Sequence, residues 1–407
     1  MSMHPNAKDA IRRHAVGFLK NVTVLGRSVG NENFAMHFAS VAKEILKHKH
    51  DWVTTQDIYS IFFNCIANAI AAMPHDGVGE VRQLSAVIGD DGLAKLADEL
   101  VAFIDSFPRT YTAKIPIPEL PDLGDSIYIS EAIAISRYQS DVALRGGGLL
   151  ALVPENHGAS NYALELKVRG FAGYGGQSSA ARQALSGYKL ILQQALACGL
   201  VAPKMGIITL AMMLRTSRVS HPKPSIEFIE DTSGPIAPFS VELSPELSSL
   251  LSSYSFRFKS AEVAGKVSEI RAALRDAAWL YAAEDDGVGR LRTACEWHLD
   301  GLTSLSPTMA LVQTSIGFEA LFGEDDENSS LTRMLADRCA YLVATNLKAR
   351  KQIRDTFVRF YQARSKIVHG NTIFLSEADD ELLFWGRRML QLAISKEMTH
   401  VKPSNVE

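Results

Sequence analysis

Pro307-Thr-Met-Ala-Leu-Val-Gln-Thr-Ser-Ile-Gly-Phe-Glu-Ala-Leu-Phe322 is apolar on most of its circumference when wound as a helix. Met309, Val312, Ile316 and Leu321 recur along it, and Leu311, Phe318 and Phe322 fill the gaps between them. A helix apolar nearly all round has to be enclosed by others, so this stretch predicts the centre of a helical bundle. Periodic runs supply the neighbours: Ala261–Ala283 and Gly289–Leu299 before it, then Ser329–Thr345, Leu347–His369 and Glu377–Ile394. Ser376-Glu-Ala-Asp379, placed ahead of Leu382-Leu383-Phe384, is a capping-box signal that opens the last run. Residues 261–407 therefore read as an all-α domain.

Working back toward the N-terminus, residues 1–110 also read as helical, over Ala7–Leu25, Glu32–His50, Thr55–Ala72, Glu80–Ile88 and Asp91–Phe107. Lys47-His-Lys-His50 has the look of a solvated helix end, since no acid or cysteine cluster follows that would make it a metal site. Composition changes at Lys114-Ile-Pro-Ile-Pro-Glu-Leu-Pro121, where the prolines disfavour helix and mark a boundary or an edge segment. Beyond it Ser126–Ser136, Leu149–Val153, Tyr162–Val168 and Ile226–Ile229 are strand-like, with turn chemistry at Asn156-His-Gly158. Ser178–Cys198 is a long helix, and Met205–Leu214 fits either strand or helix. Residues 111–260 thus form an α+β module, and the chain as a whole is mostly α. The Gly170-Phe-Ala-Gly173-Tyr-Gly175-Gly176 loop lies between a strand and a helix, as phosphate-binding loops do. Its spacing matches neither nucleotide-loop pattern and no Lys follows, so it reads as a tight turn.

Bulk properties exclude several classes. The 407 residues are 47% apolar and 21% charged, enough for two or three domains with ordinary cores. A net charge of −3 leaves no global attraction for nucleic acid, so any basic surface has to be local. One such window exists: Leu331–Gly370 holds nine Lys or Arg against two acids, Asp337 and Asp355, just after the acidic Glu324-Asp-Asp-Glu327. Cys65, Cys198, Cys295 and Cys339 are widely spaced and lie in apolar surroundings, which predicts four buried free thiols in a reducing compartment. No apolar run approaches the roughly 20 residues that span a bilayer, and residues 1–20 lack a signal-peptide core. The expectation is a cytoplasmic protein without membrane contact.

The basic window ends in Phe357-Val-Arg-Phe-Tyr-Gln-Ala-Arg-Ser-Lys-Ile-Val-His-Gly-Asn371. Ile353, Phe357, Phe360, Arg364 and Ile367 form one stripe of an amphipathic helix, and Gly370 stops it. His369 then falls in the last turn, where carbonyls are exposed and a cation is favoured. Arg364 and His369 diverge by roughly 140° along an ideal helix. They share one phosphate only if the helix end frays, or if a second copy faces the first. An Arg-x4-His pair arises by chance about 0.6 times in a chain of this composition, so the pair alone also fits an Arg salt bridge and a C-capping His.

The flanks add to it. Together, Tyr361-x-x-Arg364-Ser-Lys-Ile-Val-His369-Gly and Gly317-Phe-Glu-Ala-Leu-Phe-Gly323 resemble the ApeA-like branch of the HEPN superfamily, over the last third of the chain. The resemblance implies a helical bundle that acts as a metal-independent ribonuclease, as a homodimer with a composite site. It assigns catalysis to Arg364 and His369, with weaker substrate contacts from Tyr361, Ser365 and Lys366. Ser365 departs from the Asn, Asp or His common after the Arg in catalytic members. Glu319 matches the acid of the upstream segment and would orient an Arg or a neighbouring helix, or simply join the bundle by an ion pair. Neither a metal nor a cofactor is implied. An RNA target such as tRNA, a role in defence against phage, and a phage-derived activator or an antitoxin as partner follow from the same analogy. A non-catalytic module that binds nucleic acid, nucleotide or protein is the alternative.

The residue chemistry fits that division of labour. An imidazole titrating near neutrality can take a proton from an RNA 2′-hydroxyl or return one to the leaving 5′-oxygen. A guanidinium stays charged and can hold two phosphate oxygens. RNA carries its own nucleophile, and DNA lacks it.

Overall fold

The computed structural model describes residues 2–25, 28–29, 34–71, 81–117, 120–124, 126–138, 162–173, 178–203, 225–231, 239–243, 254–283, 285–304, 306–323, 331–370 and 375–402. These residues are predominantly helical, with short strands gathered into three sheets. Expectations for 149–153, 156–158, 205–214 and 324–327 lie outside the described residues. Contacts divide the chain into two compact units: Met1–Ala113 with Lys167–Ala184 and Glu227–Val241, and Lys114–Leu166 with Leu185–Ile226 and Glu242–Glu407. Residues of the middle region, expected as 111–260, fall in both units.

In the first unit, α1 (Pro5–Leu19), α2 (Phe34–Lys49), α3 (Thr55–Ala71) and α4 (Leu84–Asp105) enclose a core around Ile11, Phe18, Ile45 and Phe62. Phe18 meets Phe38 and Phe62 edge-on at 5.8 and 5.6 Å between ring centroids. Two expectations fail here for one reason. The helix expected over Ala7–Leu25 stops at Leu19, and Thr23–Leu25 becomes strand β1. The helix expected from Glu80 starts at Leu84, and Val81–Gln83 becomes strand β3. The two strands pair antiparallel, Thr23 opposite Gln83 and Leu25 opposite Val81, with β2 (Ser28–Val29) on the other side of β1. Pairing between segments almost sixty residues apart leaves no local periodicity to read. The expected break between the last two helices survives only as a kink in α4 at Gly89, whose φ is +70°.

The His48 segment is also more than a solvated end. Lys49 is 4% exposed, and its ammonium donates to Phe107 O at 2.5 Å and Asp105 O at 3.2 Å, capping the C-terminus of α4. Burial lowers its pKa. At the glycine-bearing loop Phe171 is buried against Phe107, and its N–H donates to Ser179 Oγ at 2.9 Å. Ser179 Oγ in turn donates to Trp52 O, which ties the end of this loop to a segment 127 residues away; residues 174–177 of the loop lie outside the described residues.

The middle strands are β4 (Arg109–Ile117), β5 (Ser126–Tyr128), β6 (Ile133–Arg137), β7 (Tyr162–Gly170), β8 (Val201–Pro203), β9 (Ser225–Glu230), β10 (Phe239–Glu242) and β11 (Tyr254–Phe256). The largest sheet has the order β10-β9-β4-β7-β6-β5, so β4, which contains Pro116, is an interior strand and not an edge. The single strand expected over Ser126–Ser136 is a hairpin, β5 and β6, with Ile127 opposite Ile135. Helix α5 (Ser179–Ala197) follows β7.

The rest of the second unit is the bundle: α6 (Val263–Ala282), α7 (Asp286–Thr303), α8 (Pro307–Phe322), α9 (Leu331–Val343), α10 (Leu347–Val368) and α11 (Glu377–Val401). Helix α8 spans the expected residues and touches α7, α9, α10 and α11, the central position expected of a helix apolar on most sides, although Met309 near its start is 50% exposed. Ser306 caps its start, with Pro307 at the first helical position. The capping box at α11 forms in full, Ser376 Oγ taking the Asp379 N–H and the Asp379 carboxylate taking the Ser376 N–H. Gly317 and Gly386 let helices approach closely: a Cβ on Gly317 would lie 2.6 Å from Leu390, and one on Gly386 2.5 Å from Phe360. All four cysteines are free, but only Cys295 and Cys339 are buried; Cys65 is half-buried and Cys198 exposed. Among the described residues no helix is long and apolar enough to cross a membrane.

Candidate active site on the last turn of α10

Asn346 caps the start of α10, its side chain taking the Ala349 N–H at 2.9 Å. It is fixed to the bundle through Phe357, Phe360, Tyr361 and Ala363, all buried. Phe357 meets Phe318 of α8 edge-on at 4.7 Å, and Tyr361 stacks on Phe357 at 4.9 Å. Arg364 lies on the rim of this same face, where its guanidinium Nη2 is 3.5 Å from Glu319 Oε1 of α8. That is one long contact and not a bidentate pair. Arg364 Nε is buried without a hydrogen-bond partner among the described residues. The side chain is thus only partly satisfied by its neighbours and keeps donor capacity.

Tyr361 lies elsewhere than on a substrate surface. It is 6% exposed, and its hydroxyl donates to Ser315 O at 3.1 Å with Glu319 Oε1 at 3.5 Å. Burial, and then the Glu319 charge, push its pKa well above the ordinary phenol value. The weak substrate-contact role expected for Tyr361 therefore gives way to a packing one. Its phenol and the Arg364 guanidinium share Glu319, so the acid of Gly317–Gly323 and the Tyr-x-x-Arg of α10 meet in space.

His369 is the residue that follows the helix. Its φ and ψ are −85° and 7°, and its N–H still donates to Ser365 O at 3.0 Å. Gly370 then turns at φ +72°, the left-handed conformation that ends a helix and that glycine adopts without strain. The helix end does not fray before His369, so the divergence of roughly 140° from Arg364 holds. His369, Lys366 and Ser365 are exposed, and the imidazole makes no hydrogen bond among the described residues. Lys366 faces the start of α11: Asp379 there is held below the usual carboxylate range by the Ser376 hydroxyl first, then by the Ser376 N–H and the Lys366 charge.

One pattern escapes a motif-based reading. Counting back from His369 in steps of three and four gives Lys366, Gln362, Arg359, Asp355, Lys351 and Lys348, all exposed. At 100° per residue these seven positions fall within about 80° of arc, a single basic stripe that ends on the imidazole. The signal was in the sequence, but the eye follows the apolar stripe on the other side. Several cations of the window that lie off this line are engaged. Arg338 donates to Phe322 O, Arg350 stacks over Tyr341 at 4.5 Å, and Arg354 pairs with Asp337 at 3.2 Å.

Among the described residues no group of three or more His, Cys, Asp or Glu side chains gathers as metal ligands would. Comparison with protein-family models, with curated proteins and with solved structures finds no match to this chain.

Proposed function

We propose that the C-terminal bundle is an endoribonuclease of the HEPN type, cleaving RNA by attack of a 2′-hydroxyl and leaving a 2′,3′-cyclic phosphate. His369 takes the 2′-hydroxyl proton or supplies one to the departing 5′-oxygen, and Arg364 holds the phosphate while charge grows on it. No metal enters these steps. The observation that carries the reading is the state of the pair among the described residues: an exposed imidazole without a hydrogen-bond partner there, and a guanidinium whose buried Nε has none there and whose contact with Glu319 is long. Because the two diverge on one helix, the working site combines Arg364 of one copy with His369 of a second. The resemblance of the flanking residues to ApeA-like HEPN proteins supports the same assignment, with tRNA as a substrate class and phage defence as the setting.

Glu319 favours a second reading. A carboxylate already beside Arg364 offsets part of its charge, as in a module that binds nucleic acid, nucleotide or a protein partner without cutting. Incubating total RNA in EDTA with wild type and with His369→Ala separates the two. Discrete fragments with cyclic phosphate ends from wild type only, at a rate about 10²–10⁴ times that of the variant, are expected. Equal cleavage by both proteins, or none by either after addition of infected-cell extract, sinks the nuclease reading.

A further inference from the structure

Between the N-terminal half of α10 and the facing side of α11 runs a groove of about 870 Å³. Its floor is apolar, from Ile353, Leu382 and Met389, and its walls carry Lys348, Lys351, Arg359 and Arg388 against two acids, Asp355 and Glu381. Trp385 stands in the wall with 44% of its surface exposed. Among the described residues, Lys348, Lys351 and Arg359 make no ion pair within 4.0 Å, and Arg388 donates only to Gln391 Oε1 at 2.9 Å. Three of these four cations belong to the stripe on α10 that continues through Lys366 to His369.

We propose that this groove and stripe form a binding track for single-stranded RNA, with Trp385 as a stacking platform and the cations on successive phosphates. The track is on the order of five nucleotides long and delivers the strand to His369. It takes its ligand from the ribonuclease reading, but it makes no use of Arg364 and can be tested without cleavage.

Charge decides between RNA and a protein surface as the occupant. The seven stripe positions include no apolar side chain, so covering them with a second copy would bury several cations against like charge. A phosphate chain neutralises the same cations and releases its counterions on binding. An exposed indole beside unpaired Lys and Arg is also the combination that holds unpaired bases without regard to sequence. A duplex keeps its bases stacked on one another and offers that indole nothing.

The test uses the full-length protein carrying His369→Ala, so that no substrate is consumed, and a fluorescein-labelled octauridylate in EDTA. Anisotropy is read across a salt series. Binding should weaken as salt rises. Adding Lys351→Ala with Arg359→Ala should lower affinity more than tenfold and reduce the slope of log Kd against log salt by about 1.4. Both positions are exposed, so the fold tolerates the change. Trp385→Ala should cost roughly tenfold and Trp385→Phe much less, and the duplex form of the oligonucleotide should bind more weakly. Three results would overturn the track: no binding by the His369→Ala protein, an unchanged affinity and slope in the double variant, or a change in mass by light scattering in Trp385→Ala. The last would make the groove a subunit surface. Binding that follows these expectations while wild type leaves all RNA uncut removes the nuclease reading and leaves the track standing.

Discussion

His298 and His369 belong to the same bundle and have opposite fates. His298 is 2% exposed on α7, its Nε2 3.1 Å from Arg387 O and its Nδ1 2.7 Å from Gln193 Oε1. Both neighbours are oxygens, so a neutral ring, with one N–H, donates to one of them and leaves the other without a hydrogen from it. Burial holds its pKa down at about 4, because a charged imidazole there would lose its water. The unfolded chain regains the ordinary value near 6.5 and binds the proton first as pH falls. The stability that His298 contributes is therefore complete above pH 6.5 and is lost between there and pH 4, by about 3 kcal/mol. Urea midpoints measured from pH 7 to 4 should show this loss in wild type, and His298→Gln should lack that part of the slope. Equal slopes would mean that His298 is protonated in the fold. His369 is exposed, and its ring has no hydrogen-bond partner among the described residues.

At the scale of elements, α10 divides its labour by face. One side is committed to α8 through Phe357, Phe360 and Tyr361, the opposite side carries the cations, and Arg364 sits where the committed side meets solvent. That arrangement depends on close approach of α11, whose Gly386 leaves room for the Phe360 ring. Phe360 is fully buried and a Cβ on Gly386 would lie 2.5 Å from it. Gly386→Ala should destabilise by about 1–3 kcal/mol through overpacking, despite the higher helix propensity of Ala. The urea midpoint measures it, and a neutral or stabilising result would mean that Phe360 has space to move. Because α10 and α11 also form the groove walls, the same variant should weaken RNA binding before it abolishes folding.

For the whole molecule the decisive question is how many copies make one site. Helix geometry keeps Arg364 and His369 about 140° apart within a copy, so activity should require association. Mixing the inactive variants Arg364→Ala and His369→Ala gives heterodimers in which one of two composite sites is intact. With random pairing about a quarter of wild-type cleavage should return. Absence of rescue, in a mixture that light scattering shows to be dimeric, would place both groups of each site in one copy.

Composition and periodicity, taken alone, determined the all-α C-terminal region, α8 at its centre, both ends of α10 and the start of α11, which runs on to Val401 past the expected end at Ile394. Those features are local: the apolar period, the capping box at Ser376 and the stop at Gly370 act within a few residues of one another. The candidate pair was legible for the same reason, as one helix end. Tertiary structure alone decided that Thr23–Leu25 and Val81–Gln83 are strands, that Lys49 is buried as a helix cap, and that Tyr361 is a packing residue. It also brought Glu319 to Arg364 and set α11 beside α10 to form the groove. Each of these rests on groups far apart in the chain, whose free energy comes from pairing and burial that no window of neighbouring residues contains.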